Sequence, residues 1–73
     1  HLLGAAGGLE AVLSVEALCE GVVPPTVNLE RVQPEFRAFD LVPHEARRRK
    51  LDFVLSNSFG FGGTNVALVF ARV

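Results

Sequence analysis

The strongest chemical signal lies near the end of the sequence, in Asn57-Ser58-Phe59-Gly60-Phe61-Gly62-Gly63-Thr64-Asn65. Gly60, Gly62 and Gly63 permit positive φ and let backbone amides approach a ligand closely. Phosphate cradles are one use of such a loop. A Walker loop, however, closes with Gly-Lys-Ser/Thr, and here Gly63 leads directly to Thr64. The dinucleotide fingerprint sets its third Gly at the head of a helix, whereas an apolar strand is predicted here. Both nucleotide readings are disfavoured. A flexible connection is the plain alternative, but Phe59 and Phe61 are costly to leave on one. Rings alternating with glycines point to a loop that packs its aromatics into a cavity and presents amides.

His1 is the second candidate. It stands just before a predicted helix, whose positive end favours a neutral imidazole that donates one N–H. Such a donor suits electrostatic stabilisation of a developing oxyanion; the plain reading is a solvated terminal residue. His44 reads as part of a surface turn beside Glu45. Two histidines without further ligands make no metal site. Arg47-Arg48-Arg49-Lys50 reads as a solvated run, or else as a contact for an acidic partner. Cys19, the only cysteine, lies in the predicted helix beside Glu16 and Glu20. That setting fits a small core residue better than a nucleophile.

These residues need elements to position them. Gly4–Glu20 reads as a helix. Glu10, Ser14, Glu16 and Glu20 share one arc, and apolar residues fill the wider remainder, so the helix is expected to be largely buried. Gly21 is a natural stop. Val22 to Asn28 contains Pro24 and Pro25 and reads as extended or edge chain. Leu29 to Lys50 reads as surface connection, with a short helical turn at Glu45–Arg48. Phe53–Ser56 and Val66–Ala71 read as strands, the second apolar on both faces as if covered by layers on either side. The stretch Asn57–Asn65 between them is too long for a two-residue hairpin.

With 73 residues, 49% of them apolar, the chain has more apolar surface than one small domain comfortably buries. It begins with His1 and has no Met, so the expectation is a fragment, residues 1–73 forming a piece of a larger domain. No signal peptide or bilayer-spanning run is seen. The net charge of −1 argues against binding nucleic acid through phosphate charge, and one cysteine excludes a disulfide framework.

Several motifs resemble one family in the right order. His1-Leu2-Leu3-Gly4-Ala5-Ala6-Gly7 is similar to the second half of the Thr-Gly-His-x-x-Gly-Ala-Ala-Gly motif of the β-ketoacyl-[acyl-carrier-protein] synthases. Val23-Pro24-Pro25-Thr26-Val27-Asn28-Leu29 and Val42-Pro43-His44-Glu45-Ala46-Arg47 resemble later segments of the elongating enzymes. Asn57–Asn65 matches the family's terminal glycine loop. The resemblance covers essentially the whole chain and implies the C-terminal part of a thiolase-like α/β fold, built of layered α and β elements. One buried helix and the last strands of a mixed sheet would come from this chain.

The resemblance also implies chemistry. A cysteine accepts an acyl chain from acyl carrier protein, malonyl carrier protein loses CO₂, and the enolate attacks the acyl thioester. His1 matches the second catalytic histidine, which stabilises the enolate. Phe61 matches the gate of the acyl pocket, and its N–H resembles half of an oxyanion hole. Asn57, Phe59, Gly60, Gly62, Gly63 and Thr64 form the glycine loop around it. The implied partners are acyl carrier protein and a second copy of the full enzyme, without cofactor, metal, nucleic acid or membrane. The implied compartment is the bacterial cytoplasm, with mitochondria and plastids as other settings. The nucleophilic cysteine, the first histidine and the lysine before the second are absent, so the isolated chain is expected to be inactive. Two alternatives stay open: the ketosynthase of a polyketide synthase, and a non-catalytic relative. Against the first, modular ketosynthases usually continue the loop with Ala-His, and here Asn65 is followed by Val66-Ala67.

Overall fold

Helix α1 runs Ala6–Glu20 and is entered through a 3-10 turn at Leu3–Ala5. It ends at Gly21, which takes a left-handed φ of 64° and donates its N–H to the Ala17 carbonyl at 2.9 Å. The expected helix from Gly4 is thus present, with its first turn wound more tightly. The computed structural model describes residues 1–73.

After Gly21 the chain extends into β1, Val22–Val23, which pairs antiparallel with β2, Arg47–Arg48. The helical turn expected at Glu45–Arg48 does not form. Ala and Arg favour helix intrinsically, but tertiary pairing overrides propensity. Val22 faces Arg48 and Val23 faces Arg47, Arg49 N–H bonds the Gly21 carbonyl at 2.8 Å, and the Arg47 guanidinium pairs with Asp40.

The stretch from Leu29 to Lys50 is therefore more than a surface connection. Thr26 N–H donates to the Val42 carbonyl at 2.7 Å, and His44 N–H to the Thr26 carbonyl at 3.2 Å. A 3-10 turn at Pro34–Phe36, with Pro34 at its first position, lies between these anchors.

The last two strands are longer than their apolar cores. β3 covers Phe53–Phe59 and β4 covers Asn65–Ala71, paired antiparallel from Phe53↔Ala71 to Phe59↔Asn65. Asn57, Ser58, Phe59 and Asn65, read as loop, are strand residues, because ladder hydrogen bonding accepts polar side chains wherever the register continues. The true connection is Gly60–Thr64, and Gly60 N–H closes it on the Thr64 carbonyl at 2.7 Å. Gly62 and Gly63 reverse the chain at φ of 91° and 88°, which side chains rarely tolerate.

Along β3 the less exposed positions alternate: Val54, Ser56 and Ser58, with Phe70, Leu68 and Val66 opposite them. Helix α1 packs on this face. Leu18 is the buried apolar centre at 4% exposure. Arg72 clasps the far end: its guanidinium donates to the carbonyls of Leu18 at 2.7 Å and Cys19 at 3.3 Å, and its backbone N–H to Asp52 at 3.0 Å. A cation on the last carbonyls of a helix also complements its dipole.

The fold is α+β: one helix and two small antiparallel sheets. Both sheets within this chain are antiparallel, because the strands meet through a hairpin and a local ribbon. One sequence expectation changes. The helix is not largely buried. Leu9, Val12 and Leu13 are exposed, as are Phe53, Leu55 and Val69 on the open face of the hairpin. The chain offers only one face to cover the helix, and nothing to cover the far side of the sheet.

Two of 73 residues are buried, too few for a cooperative core. In isolation the 73-residue chain is expected to lose its helical signal gradually in urea and to bind the dye ANS. Circular dichroism checks this; a sharp sigmoidal transition without dye binding would contradict it.

Candidate active site

The helix start and the hairpin tip meet at one end of the molecule. A cleft of about 450 Å³ lies between them, lined among others by His1, Gly7, Glu10, Asn57, Ser58 and Gly60. The two strongest sequence candidates, far apart in the chain, therefore share one cavity.

His1 is held by its own neighbourhood. Leu3 donates its backbone N–H to His1 Nδ1 at 2.8 Å. An amide N–H can only donate, so Nδ1 is the acceptor and carries no proton. In a neutral ring the proton then resides on Nε2, which becomes the donor. Leu3 achieves this with φ of 51°, in the left-handed region that non-glycine residues seldom occupy. Ala6 and Gly7 also line the cleft, and the start of α1 has neither a side-chain cap nor an acid in its first turn. The positive end of the helix thus borders the cavity uncompensated by this chain.

The helix approaches β3 closely at Gly7. A Cβ there would stand 3.1 Å from Ser58 Oγ. Glu10, one helical turn on, brings its Oε2 to 3.5 Å from Ser58 Oγ. Neither Gly7, Glu10 nor Ser58 was singled out from the sequence. Glu10 read as part of a polar arc, and its link to Ser58 spans 48 positions.

The glycine loop divides. Asn57, Phe59, Gly60 and Thr64 line the cleft along with His1. Gly62, Gly63 and Phe61 do not. The expectation that Phe59 and Phe61 pack their rings into a cavity is not met: Phe59 is 79% and Phe61 108% exposed. A turn reversed by Gly62 and Gly63 carries Phe61 outward, and this chain supplies no wall to receive its ring. Cys19, in the last turn of α1, is exposed and absent from the cleft. At 1.5 Å per residue it lies about 20 Å along the helix from Ala6. No group of three or more His, Cys, Asp or Glu is placed to hold a metal ion.

The sequence that forms this cleft is similar to that of known proteins. Residues 1–30 match the family model for the β-ketoacyl synthase C-terminal domain. The chain is similar to the β-ketoacyl synthases, the family its motifs resemble. Over its full length it is 58% identical to 3-oxoacyl-[acyl-carrier-protein] synthase 2 of Coxiella burnetii. Over 99% of its length it is 53% identical to the protein of the same name from Rhizobium meliloti. It is 48% identical, again over 99%, to a putative mitochondrial 3-oxoacyl-[acyl-carrier-protein] synthase of Schizosaccharomyces pombe. The chain spans 17% of the length of each of these relatives.

The close approach at Gly7 gives a direct test. In the longer parent protein, Gly7→Val should cost about 1–3 kcal/mol by overpacking, and Gly7→Ala distinctly less. Urea midpoints measure both; equal, negligible effects would show that α1 and β3 are not in close contact there.

Proposed function

We propose that this chain is the C-terminal part of a 3-oxoacyl-[acyl-carrier-protein] synthase of fatty-acid biosynthesis. The observation that carries the reading is the orientation of His1: Nδ1 occupied by Leu3 N–H, leaving Nε2 as a donor in the cleft shared with the glycine turn. The names and identities of the relatives support it. The reading extends to the thiolase-like fold of the whole protein, whose remaining layers would cover the exposed faces of α1 and the hairpin. It extends also to the homodimer and to acyl carrier protein as the bearer of both substrates. The bacterial relatives support a cytoplasmic setting, and the fission-yeast relative is named mitochondrial. No helix is long and apolar enough to cross a membrane.

In this reading a cysteine elsewhere in the parent holds the acyl chain as a thioester. The malonyl thioester loses CO₂, and the electron pair of the broken C–C bond moves onto the thioester carbonyl. His1 Nε2–H donates to the resulting enolate oxygen. The enolate carbon then attacks the acyl thioester, and the Phe61 N–H, with a second donor, donates to the tetrahedral oxyanion. Collapse expels the cysteine thiolate and leaves the acyl chain longer by two carbons. Gly60, Gly62 and Gly63 let the Phe61 amide turn towards that oxygen once the rest of the protein encloses its ring.

Replacing His1 tests the assignment. In the full-length parent, His1→Ala should slow decarboxylation of malonyl carrier protein by about 10²–10³, the usual cost of one oxyanion donor. Release of CO₂ measures it. An unchanged rate would remove His1 from the reaction.

A further inference from the structure

Arg72 joins three segments at the end of the molecule remote from the cleft. Its backbone N–H donates to the Asp52 carbonyl at 3.0 Å, carrying the β3–β4 pairing one residue past Phe53↔Ala71. Its Nε donates to the Leu51 carbonyl at 3.4 Å, and one terminal nitrogen to the carbonyls of Leu18 at 2.7 Å and Cys19 at 3.3 Å. The last carbonyls of a helix lack intrahelical partners. In α1 the Ala17 carbonyl takes the Gly21 N–H, and those of Leu18 and Cys19 take the guanidinium. A guanidinium suits this place, because its donors are fixed in one plane and its charge faces the negative end of the helix.

We infer that Arg72 is a positioning residue for the reaction, setting the direction of α1 against the hairpin; this rests on the synthase reading above. The close approach at Gly7 sets how near the helix stands to β3, but a single point leaves it free to pivot. Arg72 supplies the second point, and two points fix a line. His1 stands about 10 Å from a pivot at Gly7, so a tilt of about 6° moves it about 1 Å. The same tilt would carry Leu18, about 16 Å the other way along the helix, by nearly 2 Å. The 2.7 Å bond from Arg72 forbids that movement. The hairpin is tied to the same clasp through Leu51 and Asp52, and its tip carries the Phe61 amide. Loss of the guanidinium therefore shifts His1 and the glycine turn relative to one another and leaves each intact. Decarboxylation draws on His1, whereas the attack needs the enolate held by His1 and the oxyanion held by the turn together. The attack is the step a relative shift disturbs. An enolate that does not attack takes a proton from water at its carbon, so that the malonyl thioester ends as acetyl carrier protein and CO₂.

The test uses the full-length parent with acyl and malonyl carrier proteins, and mass spectrometry follows two products, 3-oxoacyl and acetyl carrier protein. Arg72→Ala should raise the ratio of acetyl to 3-oxoacyl product about tenfold, as a misplacement remote from the chemistry slows the attack. A side chain that served stability alone would, when lost, lower both products together and keep the wild-type ratio; that result would overturn the proposal. Arg72→Lys keeps a charged donor for the helix carbonyls and should return the ratio to within about threefold of wild type. A Lys variant as uncoupled as the Ala variant would also overturn it. Should Arg72→Ala fail to fold, Arg72→Gln takes its place, with the same rise expected and an unchanged ratio contradicting the proposal. Failure of the synthase reading is separate, since it would appear as a wild-type parent that forms neither product.

Discussion

The place of the glycine turn against the helix depends on how closely α1 lies on β3, and that distance is set at Gly7. Any larger residue there would meet the Ser58 hydroxyl. Closely packed interiors transmit such a displacement instead of absorbing it. The crossing brings the helix N-terminus and the hairpin tip to the same end of the molecule. Arg72 fastens the opposite end, tying the last carbonyls of α1 to the chain beyond β4. At that end Leu18 fills the one apolar centre the chain possesses.

Two kinds of order meet in the site. His1 is placed by a local device, a left-handed Leu3 that turns its amide towards the imidazole. The strain at Leu3 has a use: it selects the tautomer with the outer nitrogen as donor. The glycine turn is placed by long-range pairing, because its position follows from the register of β3 on β4 and the packing of β3 on α1. In the proposed reaction, a group that donates one proton in one direction suits the first kind. A loop whose amide approaches a substrate would suit the second, with Gly62 and Gly63 supplying the freedom.

Much of this was legible in the sequence, for physical reasons that differ by element. The helix could be read because its polar residues fall on one arc, and Gly21 marked its end. The two strands could be read from their apolar cores, but not their full lengths. Asn57, Ser58 and Phe59 look like loop chemistry, and only cross-strand partners make them strand. Arg47–Arg48 was illegible for a similar reason: its partner, β1, is a two-residue segment more than twenty positions earlier. In the site, His1 and the loop residues carried family motifs. Gly7, Glu10 and Ser58 matter only through contacts across the fold, which no local pattern encodes. The outward ring of Phe61 and the exposed sides of α1 share one cause, since the surfaces that would receive them are not part of these residues.

The central claim is that one imidazole nitrogen is committed to Leu3 so that the other can serve the substrate. A crystal structure of the full-length parent with a non-hydrolysable malonyl thioester analogue tests it most directly. The thioester oxygen should lie about 2.7–3.1 Å from His1 Nε2, with Leu3 N–H still on Nδ1. A ring turned to offer Nδ1 to the analogue, or a thioester oxygen bound away from His1 altogether, would contradict it.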